Sequence, residues 1–212
     1  MLQMPFHEGD TILFQGDSVT DCARERSDSY SLGGGYPALI AAYLWSQFPN
    51  LNLTILNRGV SGDRVYDLAS RWEDDCLKLQ PNWVSILVGI NDTWRRFDSD
   101  IISPIAEFEA AYRKLLDQVV EHTQARLILC EPFVLNSPPD RMAWRADLNP
   151  RIEVVRQLAA EYSALLVPLD GLFAAACAKA RPAFWAADGV HPTLAGHGLI
   201  ANAWLEAVSR RG

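Results

Sequence analysis

Cysteine is scarce and scattered in this chain. There are four in 212 residues, Cys22, Cys76, Cys130 and Cys177, and no CxxC pair among them. That spacing speaks against a zinc cluster and fits reduced, partly buried thiols in a cytoplasmic protein. Blocks of Lys and Arg are missing too, and the formal net charge is −7. A surface built for nucleic-acid phosphates is therefore not expected. No stretch approaches the ~20 apolar residues of a membrane span. The opening MLQMPFHEGDTILF has neither a basic start nor a long apolar core, so no secretory signal is expected. The one glycine-rich run, SLGGGY (31–36), lacks the GxGxxG pattern and does not directly follow a strand. It gives little support to a non-catalytic, flavodoxin-like binding module.

What the chain does have is ordinary globular composition, 49% hydrophobic and 21% charged, without internal repeat or linker. One compact domain over residues 1–212 is the simplest expectation. Near-continuous apolar runs read as strands at 11–15, 53–57, 83–88, 126–130 and 164–169, covered on both faces. Helical periodicity marks 35–48, 65–79, 102–122, 147–162 and 194–210. In the third of these, Ile105, Phe108, Tyr112, Leu115, Leu116 and Val119 form one stripe. The alternation predicts an α/β protein: a three-layer α/β/α sandwich around a mostly parallel five-stranded sheet.

Sites in such sheets lie beyond the carboxyl ends of the strands. Small and polar residues gather at those points: GDS after the first strand, NRGVSGD after the second, GIND after the third and DG after the last. The turn-rich 131–144 stretch after the fourth strand is long enough for a rim or lid. Ser18 leaves the first strand in FQGDSVTD. A serine hydroxyl is a weak nucleophile and needs a base, an orienting group for that base, and donors for the oxyanion. Taken alone, a serine in a strand-to-helix turn is usually a turn or capping residue.

Of four histidines, His7 precedes the first strand, His122 ends a helix, and His197 falls in the last helix, where packing is its expected role. His191 lies in AADGVHPTLAGHG, three residues after Asp188 on a bend made by Gly189 and closed by Pro192. A carboxylate there can hold one imidazole nitrogen while the other faces outward. Gly59 and Gly62 flank a turn able to leave an N–H free, and the amide of Asn91 follows the third strand. Asp17, Asp21 and Asp92 are read as structural hydrogen-bonding groups. Trp94, Arg95, Arg96, Arg64 and Trp185 could line the mouth and meet a sugar. The DxD pattern of aspartyl-nucleophile phosphatases is broken, since Val19 stands at the second position.

Four blocks in order, GDSVTD, GVSGD, GIND and DGVHP, resemble those of the SGNH hydrolases, the GDSL-like esterases and lipases, over residues 11–210. SGDRVYDLASRWEDD and VGINDTWRRFD are similar to intracellular bacterial acetyl-xylan and xylo-oligosaccharide esterases. The resemblance implies a flavodoxin-like sheet and no metal or cofactor. It implies Ser18 as nucleophile, His191 as base and Asp188 as its partner, with the Ser18 and Gly62 N–H groups and the Asn91 side chain as oxyanion hole. The substrate it implies is a small-molecule ester, foremost an acetylated sugar, and a homo-oligomer is the assembly it favours. Relatives carry an aromatic residue directly before the triad aspartate where this chain has Ala187, so the sugar-facing wall differs. A lysophospholipase or acyl-thioesterase of the same superfamily is the alternative.

Overall fold

A computed structural model describes residues 3–209. Five strands, β1 (Thr11–Gly16), β2 (Thr54–Asn57), β3 (Trp83–Leu87), β4 (Arg126–Cys130) and β5 (Leu165–Val167), form one parallel sheet in the order β2-β1-β3-β4-β5. Every neighbouring pair is parallel, with Leu13 opposite both Leu56 and Val84 and Ser85 opposite Ile128. Each strand is followed by helix, because a parallel neighbour can be reached only by a crossover.

The continuous apolar runs reflect burial of both sheet faces. Side chains alternate across a strand, so Ile12 and Phe14 enter one core while Leu13 enters the other. The first core is closed by α2 (Tyr36–Gln47), α7 (Leu169–Cys177) and α9 (Leu194–Ser209), through Ile40, Leu44, Phe173, Ile200 and Trp204. The second is closed by α3 (Val65–Asp75), α5 (Ile105–His122) and α6 (Arg145–Glu161), through Leu68, Trp72, Leu115, Leu116 and Leu158. In the α5 stripe, Phe108, Tyr112, Leu115, Leu116 and Val119 are fully covered.

Four helices depart from the expected pattern. The single-turn α1 (Ser18–Asp21), α4 (Ile90–Asp98) and α8 (Pro182–Trp185) occupy stretches read as turns or loops. The DG after the last strand also belongs to a helix: Asp170 sits in the first turn of α7 and pairs with Arg145 rather than joining the other strand-end residues. Short turns rich in Gly, Asp and Asn hide a helix start, because the residues that cap a helix are also those that make a turn.

In this strand order the crossovers leave β1 and β3 in opposite directions, and the crevice opens between their carboxyl ends. Ser18 follows the first of these strands and Asn91 the second.

Candidate active site

Ser18 owes its position to its two neighbours. Gly16 has φ +154, and a Cβ there would lie 2.3 Å from the Leu87 carbonyl oxygen and 2.4 Å from Thr20 Oγ1. Only glycine lets β1 turn this close to β3. Asp17, 1% exposed, then caps α1 by accepting the Val19 N–H at 2.9 Å. This is the structural role expected of it, and it leaves Ser18 as the first residue of the helix. The N–H of a first helical residue has no intrahelical acceptor.

His191 and Asp188 lie on the short loop between α8 and α9. An isolated bridge between Ala186 and Pro192 ties the base of that loop, and Gly189 turns it with φ +82. Asp188 Oδ1 accepts from the Val190 and His191 N–H groups at 3.0 and 2.8 Å, and Oδ2 lies 2.6 Å from His191 Nδ1. With Nδ1–H given to the carboxylate, Nε2 is left as an acceptor 2.9 Å from Ser18 Oγ. Residues 173 positions apart thus meet at proton-transfer distance. Burial pushes the Asp188 carboxyl up, but the His191 ring and the two backbone donors outweigh it and hold it well below the usual carboxylate range. The hydrogen bond that His191 donates to Asp188 in turn raises His191, against the opposing effect of burial.

The two donor turns converge on the same point. Gly62, at φ +90, and Asn91 join Ser18, His191, Trp94 and Arg95 around an open cleft of about 380 Å³. Asn91 is in the first turn of α4, not in a loop, and is 3% exposed. One amide hydrogen goes to the Asp63 carbonyl at 3.0 Å; an amide nitrogen carries two. The turn bearing Gly62 is fixed through Asp21, whose Oδ2 accepts from Ser61 N, Ser61 Oγ and Arg26 Nη2. Gly59 plays a different part. A Cβ there would stand 2.4 Å from the Asp21 nitrogen, so this glycine lets the turn pack directly on α1.

The mouth divides the tentative substrate-binding residues. The Trp94 ring lies 5.6 Å from His191 and 5.3 Å from Trp144. Arg95 pairs with Asp98 at 2.5 Å, so it enters the cleft with its charge largely matched. Arg64 and Trp185 are engaged elsewhere. Arg64 caps α3 and bonds Asp67, and Trp185 donates to the Ala176 carbonyl while packing on the core. Arg96 reaches away to Asp147. The 131–144 stretch is not a free lid. Residues 131–135 are buried and Trp144 is 3% exposed, while Arg141 donates to the Asp188 carbonyl. Trp144 and Arg141 lie in a short 3₁₀ helix, Pro139–Trp144, too brief to leave an apolar period in the sequence.

Two buried carboxyls flank the site. Burial pushes both Asp17 and Asp92 up to about 7, against the Val19 hydrogen bond in the first and the Arg151 charge in the second. Asp92 Oδ2 accepts the Val65 N–H, so it ties α4 to α3. His197 packs as expected. Its Nδ1 accepts the Tyr36 N–H at 3.2 Å, which puts the proton on Nε2, 3.3 Å from Cys22 Sγ. A ring that donates to sulfur cannot serve as its base, and burial pushes His197 down to about 4. Cys22 and His197 are therefore not a second nucleophile pair.

Residues 14–199 match the model of the GDSL-like Lipase/Acylhydrolase family. The chain is 34% identical to an acetylxylan esterase of Geobacillus stearothermophilus over 97% of its length and 96% of the relative's. The crystal structure of that organism's acetylxylan esterase superimposes with a TM-score of 0.89 at 35% identity, covering 97% of this chain and 96% of the other. An α/β hydrolase enzyme from the metagenome of Lake Arreo gives 0.90 at 35% identity, covering 97% and 98%. A family match over most of the chain, with solved structures of the same fold at 35% identity, makes the conclusion direct: the chain belongs to the GDSL-like lipase/acylhydrolase family and is a carboxylic ester hydrolase.

Proposed function

We propose that this esterase removes small acyl groups, acetyl foremost, from a carbohydrate alcohol such as an acetylated xylo-oligosaccharide. The hydrogen-bonded line Ser18 Oγ, His191 Nε2, His191 Nδ1, Asp188 Oδ2, at 2.9 and 2.6 Å, carries the reading. Ser18 Oγ attacks the ester carbonyl as His191 Nε2 takes its proton, and Asp188 stabilises the imidazolium. The carbonyl oxygen becomes an oxyanion facing the Ser18 and Gly62 N–H groups and the Asn91 amide. His191 then protonates the leaving sugar hydroxyl. Water repeats the attack on the acyl-enzyme with His191 again as base, freeing the carboxylate and restoring Ser18.

Two observations support a small acyl group on a sugar. The cleft is walled by Trp94 and the Arg95–Asp98 pair, an aromatic platform beside hydrogen-bonding groups. The Geobacillus relative is named for acetylxylan. Acetate release from acetylated xylo-oligosaccharides is the test. Turnover of these together with inertness toward lysophospholipids is expected; the reverse pattern would hand the site to the lysophospholipase reading. Residence in the cytoplasm belongs to the same proposal and is supported by four free thiols among the described residues. Assembly into a homo-oligomer also belongs to it. Cell fractionation checks the first and light scattering the second.

A further inference from the structure

Asp188 and His191 sit on an exposed loop, yet their function requires placement to a fraction of an ångström. The main chain of that loop is held from outside. Three consecutive carbonyls each accept one hydrogen bond from the 135–141 segment. Ala187 O accepts from Ser137 Oγ at 3.0 Å, Asp188 O from Arg141 Nε at 3.1 Å, and Gly189 O from Leu135 N at 2.8 Å. Contact is close enough that a Cβ on Gly189 would lie 2.5 Å from the carbonyl oxygens of both Leu135 and Ser137. Between the two functional residues, Val190 is 1% exposed and packs with Val134, Trp144 and Leu148.

Arg141 is the one long side chain in this clamp. Its guanidinium carbon stands 4.1 Å from the Trp144 ring centroid and 5.5 Å from that of Trp94. Trp94 is itself the aromatic neighbour of His191. The ion pair to Asp140 is long, 3.6 Å, and Asp140 is 71% exposed, so it contributes little. The planar guanidinium is instead committed to a main-chain carbonyl and two indole faces, a combination that lysine reproduces only in part.

We propose that Arg141 is a positioning residue: by holding the Asp188 carbonyl and the Trp94 ring together, it sets the His191 ring in line with Ser18. The inference rests on the reading of Ser18, His191 and Asp188 as the reacting groups. Arg141 does not itself line the cleft and reaches it only through Trp94, so on a small acetyl ester without a sugar to stack on that ring its loss acts on turnover and not on substrate affinity.

The experiment compares wild type, R141M and R141K. It measures the second-order rate of labelling by a fluorophosphonate, kcat and KM on a small acetyl ester without a sugar, and the thermal midpoint. Misplacement of about 1 Å costs up to ~10²-fold, so R141M is expected to label and turn over about 10- to 100-fold more slowly. Its KM should stay within about threefold, and R141K should recover part of both rates. Wild-type rates in R141M overturn the proposal. So does a loss that appears in KM alone, or one that R141K shares in full. Failure of wild type itself to label sinks the triad reading, and this inference with it, and is visible separately in that arm. Should R141M melt below the assay temperature, R141K carries the test. It must then label more slowly than wild type at unchanged KM, and a wild-type rate in R141K overturns the proposal.

Discussion

The two nitrogens of His191 have different partners, and the chemistry of the site follows from that asymmetry. Nδ1 is committed to Asp188, which leaves Nε2 to exchange a proton with Ser18. Ser18→Ala should therefore lower kcat on any acetyl ester by at least about 10³-fold while leaving the thermal midpoint in place. The hydrogen bond to Asp188 raises His191 above its usual value, and the base must be neutral to act. Activity is therefore lost as pH falls through a midpoint above ~6.5, the ordinary value for histidine. In Asp188→Asn that limb should move down, because the group that raised it is gone; a kcat/KM profile against pH checks the direction. Asn91→Ala removes a side-chain donor and should cost about 10²–10³-fold in kcat. Near-normal turnover in that variant would remove Asn91 from the oxyanion hole.

Asp17 gives a stability prediction at the same scale. Its folded value, about 7, lies above its unfolded one, so the folded state holds the proton more tightly. Stability is lost as pH rises from the unfolded value toward 7. An amide keeps the oxygen that accepts the Val19 N–H and has no charge to bury. Asp17→Asn should therefore melt at higher temperature than wild type at pH 8, with the advantage shrinking toward pH 4. An advantage that grows on acidification would contradict the burial argument. Asp188 and His191 were legible as a pair because three residues on one bend are local, whereas Ser18, by itself a turn residue, was legible through the GDSVTD block. The Arg141 clamp was not, because its acceptors are main-chain carbonyls, which every residue carries.

Among the elements, α4 matters most to the site and was the least visible. Gly89 and the Asn-Asp pair that open it read as turn formers, and Trp94, Arg95 and Arg96 read as residues lining a mouth rather than as one helix. The helix begins after Gly89, at φ +127, where a Cβ would press on Phe108 and Pro132. It carries Asn91, Asp92, Trp94 and Arg95, so one rigid piece sets a donor and part of the mouth together. Arg151 fastens that piece to α6. Fully buried, it bonds Thr93 Oγ1, the Ser103 carbonyl and Asp147 Oδ1. Arg151→Met removes three hydrogen bonds but leaves Asp147 paired with Arg96, and should cost about 1–3 kcal/mol in urea unfolding. A cost below about 1 kcal/mol would show that α4 does not depend on this anchor. The five strands, by contrast, were plain in the sequence because burial on both faces makes them continuously apolar. α7 escaped notice because its Ala-rich run, FAAAC, shows no clear apolar period.

At the scale of the whole molecule, the strand order brings a serine from residue 18 and a histidine from residue 191 into one crevice. No single segment holds the site, so local reading could name its parts but not their distances. Trp94 and the Arg95–Asp98 pair line the cleft they share. Under the proposed function, acetyl esters should outpace octanoyl esters of the same alcohol in kcat/KM, and a clear octanoyl preference would contradict it. The most direct test of the account is rapid acid quenching of the enzyme during turnover of an acetyl ester, followed by peptide mass spectrometry. The expected result is the mass of one acetyl group on the peptide that contains Ser18. Turnover with no adduct there, or with the adduct on another residue, would contradict it.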